Sequence, residues 1–360
     1  MNPLAAPTVA EALARPHNAF SALRLALALA VVVSHAFSVT SGLPGEEPLA
    51  RATGFTLGEH AVNGFFAVSG FLVTMSFARR GWRDYALARA LRILPGLLAA
   101  ILIAAFVLGP AMTGLALADY LAAPGLRRFL ADTVVSLKSN TSLPGVFEAG
   151  PYRAPLGTIW TLRYELYCYV GILALGLSGL LARRSLMLGL VAGLALALLV
   201  LDIRHPDLSK SLETALRLPL IFAVGGALYL WRDRVRLTAL PLLGLALAAL
   251  LQGGPCYRTL LFVAEGYAAI WLALAPALAR PALDPRADLS YGVYLYGWPI
   301  QQALHAVWPQ GSGWMLLGPS VGLALCVAAL SWYAVEKPAL GLKARALGRR
   351  TLGTIEPAGP

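Results

Sequence analysis

Long apolar runs organise the chain, and short polar or basic segments interrupt them at intervals. Ten runs are long enough to cross a bilayer, at roughly residues 19–40, 60–78, 93–110, 156–182, 185–201, 215–231, 237–251, 258–278, 289–306 and 314–335. A membrane helix needs about 20 mostly apolar residues to span the hydrocarbon, and a buried strand would stop far sooner. The pattern predicts an all-α polytopic membrane protein with about ten transmembrane helices. An outer-membrane barrel would alternate apolar and polar residues instead.

Direction follows from the basic residues. Counted over the interrupting segments, Lys and Arg favour the side of the N-terminus by about two to one, led by Arg79, Arg80, Arg83, Arg89 and Arg92. Both termini are therefore expected in the cytoplasm. The expected organisation is a tail at 1–18, one ten-helix membrane domain at 19–335 and a tail at 336–360. Outer loops fall at about 41–59, 111–155 and 202–214, the middle one with short interfacial helices around 115–138. No small-residue cleavage site follows the first run, which reads as a retained anchor. Gly189–Gly193 and Gly225–Gly226 read as helix-packing positions.

Composition narrows the class. Hydrophobic residues make up 58% and charged residues only 13%, about half the charged share of a soluble domain. A soluble enzyme, a disordered scaffold and a disulfide-rich secreted module are excluded. The net charge of +11 does not point to nucleic acid, because the basic residues punctuate apolar runs instead of forming one patch. Membrane lipid is the expected surrounding. Cys168, Cys256 and Cys326 show no CxxC spacing and no neighbouring His, so neither a disulfide framework nor a metal site is expected.

Ionisable residues inside the runs are costly and mark function. Those deep within a run are Arg24, His35, Arg163, Glu165 and Glu265, with Asn63 and Ser69 adding neutral polarity. Arg24 and His35 lie eleven residues apart, three turns plus about 20°, and so share a helix face. A neutral imidazole there suits proton transfer. Glu165 at similar depth is the economical partner to orient it, with an Arg/Glu structural pair as the other reading. Arg163 points to a different face of the same helix. Arg89 and Arg92, three apart, form a two-guanidinium fork suited to phosphates, although topology alone also accounts for them. Glu265 reads as structural.

These residues resemble the bacterial integral-membrane acyltransferase family 3 over nearly the whole chain. The resemblance rests on four stretches. Arg24 is separated from His35 by ten intervening residues; Asn63-Gly-Phe-Phe-Ala-Val-Ser69-Gly70-Phe71 is followed by Arg89-x-x-Arg92; Gly157-Thr-Ile-Trp160-Thr161-Leu-Arg-Tyr164-Glu165 comes third; Ser290-Tyr291-Gly-Val-Tyr294-Leu is closed by Val335-Glu336-Lys-Pro338. The resemblance implies transfer of an acyl group, usually acetyl, from cytoplasmic acyl-CoA as co-substrate to a hydroxyl of an extracytoplasmic or lipid-linked carbohydrate, in a bacterial cytoplasmic membrane. It implies His35 as catalytic residue, Arg24, Arg89 and Arg92 as donor-binding or positioning residues, and Glu165 and Ser69 in the central site. Asn63, Trp160, Tyr291 and Tyr294 are expected to line that site. His35 acts as general base, or carries a transient acyl group. Gly297 stands where many relatives carry a His, which leaves His35 as the one buried base, with His60 at the outer mouth. No bound cofactor is expected. A transporter or flippase for a polar anionic or glycolipid solute is the alternative that ten spans with a polar stripe would also serve.

Overall fold

The computed structural model describes residues 6–205 and 209–346. Its elements are α-helices: α1 (Val9–Leu13), α2 (Phe20–Ser41), α3 (Pro48–Thr53), α4 (Leu57–Ile103), α5 (Gly109–Met112), α6 (Leu117–Ala122), α7 (Pro124–Ser136), α8 (Trp160–Leu177), α9 (Arg184–Arg204), α10 (Lys210–Leu230), α11 (Leu240–Leu250), α12 (Tyr257–Ala273), α13 (Ser290–Val307), α14 (Gly313–Ser331) and α15 (Lys337–Ala346). Among the described residues β-pairing is limited to two isolated bridges, Thr8 with Arg236 and Thr113 with Val146. Each predicted apolar run lies on a helix. Five helical stretches are long and apolar enough to cross a membrane: Phe20–Ser41, Leu57–Met112, Arg184–Arg204, Lys210–Leu230 and Gly313–Lys343.

The second and third runs join into one element, α4, that turns at a single residue. Gly81 takes φ 77° and ψ 173°, a conformation open to glycine and closed to side chains. The helix therefore has two arms, 57–80 and 82–103, with the Arg-rich segment at the bend. A capping box of Thr56 and Glu59 starts the first arm. The fourth run becomes helical later than expected: a tight turn at Gly157–Ile159 precedes α8, so Glu165 sits in the second turn of its helix, shallower than the run's start at 156 implies.

One end of the bundle is basic. Arg184 reaches Asp233 at 2.7 Å there, joining the start of α9 to the turn after α10. At the opposite, loop end, Tyr152 donates to Gly42 O at 3.3 Å and Tyr257 to Thr53 O at 2.5 Å. Residues 337–346, expected as tail, form α15, which docks on the second arm of α4 through Lys343 and Asp84 at 2.6 Å. Residues 1–5, 206–208 and 347–360, including Arg349 and Arg350 of the expected basic tail, lie outside the described residues.

Packing is closest between α4 and α10. A Cβ added at Gly70 would fall on Phe222 O, and one added at Gly225 on Ala67 O. Each helix thus supplies a glycine where the other's backbone passes, which gives Gly225 the packing role its sequence context suggests. Large apolar side chains point the other way: Leu94, Leu98 and Leu102 on α4 and Leu242, Leu243 and Leu247 on α11 are exposed. Polar residues such as Asn63, Arg217 and Gln301 are fully buried. This inside-out distribution suits a lipid surrounding, where apolar surface carries no penalty and backbone polar groups are satisfied within helices.

Candidate active site

A central pocket of about 280 Å³ lies between α2, both arms of α4, α8 and α13. Its residues come from helices far apart in sequence, each placed by helical spacing. On α13 the side chains of Tyr291, Tyr294, Trp298 and Gln302 recur every three or four residues and so lie along one face. Asp288 precedes that face, and Tyr291 and Tyr294 line the pocket.

The half of the pocket nearer the basic end is an arginine cluster built around a carboxylate. Asp288 Oδ2 accepts from Arg24 Nη1 at 2.9 Å and pairs with Arg92 Nη2 at 2.8 Å, while Ser290 Oγ donates to Asp288 Oδ1 at 2.7 Å. Burial works against the charge on Asp288, yet the Arg92 and Arg24 guanidiniums and the Ser290 hydroxyl outweigh it and hold its carboxyl well below the usual carboxylate range. Arg89 lies with its guanidinium 5.7 Å from the Tyr169 ring centre, and Arg92 5.8 Å from that of Tyr291. Among the described residues, three arginines thus face one pocket, and Asp288 is the carboxylate in direct contact with two of them. Arg89 Nε is buried with no hydrogen-bond partner among the described residues, an orphan donor that suits an anionic ligand.

The other half is a carboxylate with hydroxyls. Ser69 Oγ donates to Glu165 Oε1 at 3.3 Å, and the Tyr169 hydroxyl donates to the same oxygen. Tyr294 gives its one proton to Thr158 O at 2.8 Å, so Thr161, 2.5 Å away, is the donor to Tyr294. Arg163 is exposed on another face of α8.

The pocket therefore gathers Arg24, Ser69, Arg89, Arg92, Glu165, Tyr291 and Tyr294. Three expectations are corrected. Glu165 does not orient His35: its partners are Ser69 and Tyr169, and His35 instead meets the edge of Trp298 at 4.9 Å between ring centres, one turn of α13 beyond Tyr294. Trp160 packs against Tyr164 instead of lining the pocket, where Thr161 takes its place. Asn63 faces away from the pocket and donates to Glu265 Oε2 at 2.6 Å. His60 is held by two partners: its Nδ1 contacts Glu265 Oε1 and its Nε2 lies 3.1 Å from Thr53 Oγ1.

Asp288 and Tyr169 were not anticipated from the sequence. The signals were present: Asp288 is the one acid between residues 285 and 307, just before Ser290-Tyr291, and Tyr169 follows Glu165 by four residues, one helical turn.

Among the described residues, a helical bundle with lipid-suited sides and an arginine-lined inner pocket is the architecture of a membrane protein with a basic internal site. Comparison with known proteins makes the class specific. Residues 17–335 match the acyltransferase domain of acyltransferase family 3. The chain is similar to an O-acetyl transferase of Shigella phage Sf6, 28% identical over 330 residues that cover 89% of this chain and 95% of that protein. It is also similar to nodulation protein 10 of Rhizobium leguminosarum bv. viciae, 30% identical over 365 residues covering 92% of this chain and 96% of that protein. No solved structure matches. The chain belongs to acyltransferase family 3 and is an acyltransferase, which sets the transporter reading aside.

Proposed function

We propose that the protein is a membrane O-acetyltransferase that moves an acetyl group from cytoplasmic acetyl-CoA to a hydroxyl of a carbohydrate or glycolipid of the bacterial envelope. In this reading the bundle crosses the cytoplasmic membrane about ten times with both termini inside, and its basic end faces the cytoplasm. The observation that carries the reading is the arginine cluster at that end: Arg24, Arg89 and Arg92 converge on one pocket with Asp288. Guanidinium groups are suited to phosphates, and acyl-CoA is a phosphate-bearing donor with a long arm that extends into the pocket. The O-acetyl transferase among the relatives favours acetyl as the group moved.

The thioester carbonyl then lies toward Tyr294 and His35. A nitrogen of the His35 imidazole takes the proton of the acceptor hydroxyl as its oxygen attacks the thioester carbon. The carbon–sulfur bond breaks, the new ester forms, and the CoA thiolate takes the proton back from the imidazolium. General-base assistance of this kind contributes about 10²–10⁴-fold. Ser69, Glu165 and Tyr169 form a hydrogen-bonding wall alongside the donor arm. Mass spectrometry of envelope glycans from a strain lacking the gene tests the reading. Loss of one acetyl mass increment, restored by the intact gene, is expected. Unchanged glycans, with no release of CoA from acetyl-CoA by the purified protein and an envelope extract, would overturn it.

A further inference from the structure

A second pocket, of about 330 Å³, opens at the loop end of the bundle, and neither the family match nor the central pocket accounts for it. Val39 of α2, Gln302 and His305 of α13, and Phe147 and Tyr152 of the segment before α8 line it. Two of its polar atoms are buried without a hydrogen-bond partner among the described residues: Gln302 Oε1 and His305 Nδ1. Gln302 is 4% exposed and already spends its amide on Ala154 O at 2.8 Å, so its carbonyl oxygen is left for a ligand that donates. A buried acceptor without a partner costs about 1–3 kcal/mol, and its place in a cavity wall says what would satisfy it.

The same wall stores backbone strain. Phe147 adopts φ 56°, which is unfavourable for a bulky side chain. Phe147 is 6% exposed and lines the pocket while packing into the neighbouring apolar core. Tyr152 commits its hydroxyl to Gly42 O and so offers mainly its ring. Aromatic faces beside unpaired hydrogen-bonding atoms match a sugar, whose ring presents apolar C–H faces and a rim of hydroxyls. The volume lies near the lower limit of about 300–1,000 Å³ for ligand pockets, room for one ring and not for a chain.

Along α13, Trp298 falls between the residues that line the two pockets. On α13 it stands one turn beyond Tyr294, which lines the central pocket, and one turn before Gln302, which lines the outer one. Its indole is fixed by donation to Ala154 O at 2.9 Å and packs edge-to-face with His35 at 4.9 Å and Tyr152 at 5.0 Å between ring centres. His35 lines neither pocket itself; it lies against Trp298, one turn of α2 from Val39 of the outer pocket.

We propose that the outer pocket is the acceptor subsite: it holds a single sugar ring between Phe147 and Tyr152, with hydroxyls bonded to Gln302 Oε1 and His305 Nδ1, and presents one hydroxyl to His35 beside Trp298. This rests on the acyl-transfer reading above. The full chain reconstituted in lipid nanodiscs, with acetyl-CoA and an extract of host envelope glycan, tests it through two variants that leave the helices intact. Phe147→Gly removes the ring and relieves the strain, and His305→Ala removes the orphan nitrogen. Each is expected to raise the KM for glycan about tenfold while the KM for acetyl-CoA stays constant. A glycan KM equal to wild type in both variants, or an equal change in both KM values, would overturn the assignment.

A binding arm needs no turnover. In a chain carrying Cys168→Ala, Cys256→Ala and Cys326→Ala, the thiol introduced by Ala306→Cys at the pocket wall is alkylated by a membrane-impermeant maleimide, with methyl glycosides of glucose, galactose and rhamnose as probes. Slower alkylation with at least one probe is expected, and no protection by any of them or by the glycan extract would overturn the pocket. Protection together with absent acetyl transfer would keep the pocket and sink the acyl-transfer reading, so the two failures are distinct.

Discussion

Asp288→Asn removes the carboxylate that holds two arginines together. Asp288 Oδ2 meets Arg24 and Arg92 at 2.9 and 2.8 Å, and the three side chains are 24%, 24% and 14% exposed for Asp288, Arg24 and Arg92. Breaking a fully buried pair costs about 3–5 kcal/mol, and an exposed one contributes about 1 kcal/mol or less. At one-quarter exposure the loss should be about 2 kcal/mol, roughly thirtyfold in the folding equilibrium. The native carboxyl titrates below its ordinary value of 3.8. Its contribution is therefore complete above that value and fades only as pH falls through the lower native one, so the difference from wild type should be constant between about pH 5 and 8. Thermal unfolding of the detergent-purified protein, followed by tryptophan fluorescence with and without acetyl-CoA, measures the effect. The donor's phosphates would replace the lost counter-charge, so acetyl-CoA should stabilise the variant more than wild type. A variant as stable as wild type, or one that acetyl-CoA stabilises no better, would refute the idea that donor phosphates meet these guanidiniums.

Other substitutions probe different parts of the molecule. Gly70→Val places side-chain atoms on Phe222 O and should cost about 3 kcal/mol or more by forcing α4 from α10, read as loss of the monodisperse peak in size-exclusion chromatography; a normal peak would contradict the close packing. Glu265→Ala leaves His60 and Asn63 without their shared partner and should lower the melting temperature while kcat per folded molecule stays unchanged, since that pair lies outside both pockets; a lost kcat at full stability would assign it to the reaction. Glu165→Gln keeps the size of the acceptor for Ser69 and Tyr169 but removes its charge, and is expected to change kcat more than the KM for acetyl-CoA, with the opposite split counting against its place beside the donor arm.

The helices were legible from the chain because lipid demands long apolar runs, and each run fell on a helix. The bend at Gly81 was not, since an Arg-rich segment reads as a loop whether or not the helix resumes at once. The arginines of the site were legible as charges within or beside apolar runs. Their partners were not. Glu165 and His35 share a depth, but depth leaves the helix face open, and α8 turns its carboxylate to Ser69 and Tyr169. Asn63 and Ser69 sit six residues apart on α4, about 240° around the helix, which sends one toward α12 and the other into the pocket. His60 and Glu265 are 205 residues apart, a separation over which periodicity carries no pairing information.

The central claim is that His35 moves the proton in acetyl transfer to a glycan hydroxyl. Its most direct test compares wild type and His35→Ala in nanodiscs with radiolabelled acetyl-CoA and envelope glycan, reading labelled ester and free CoA together. The variant should keep its acetyl-CoA-induced rise in melting temperature while ester and CoA formation fall together by about 10³-fold. Ester formation at the wild-type rate in His35→Ala would contradict the account.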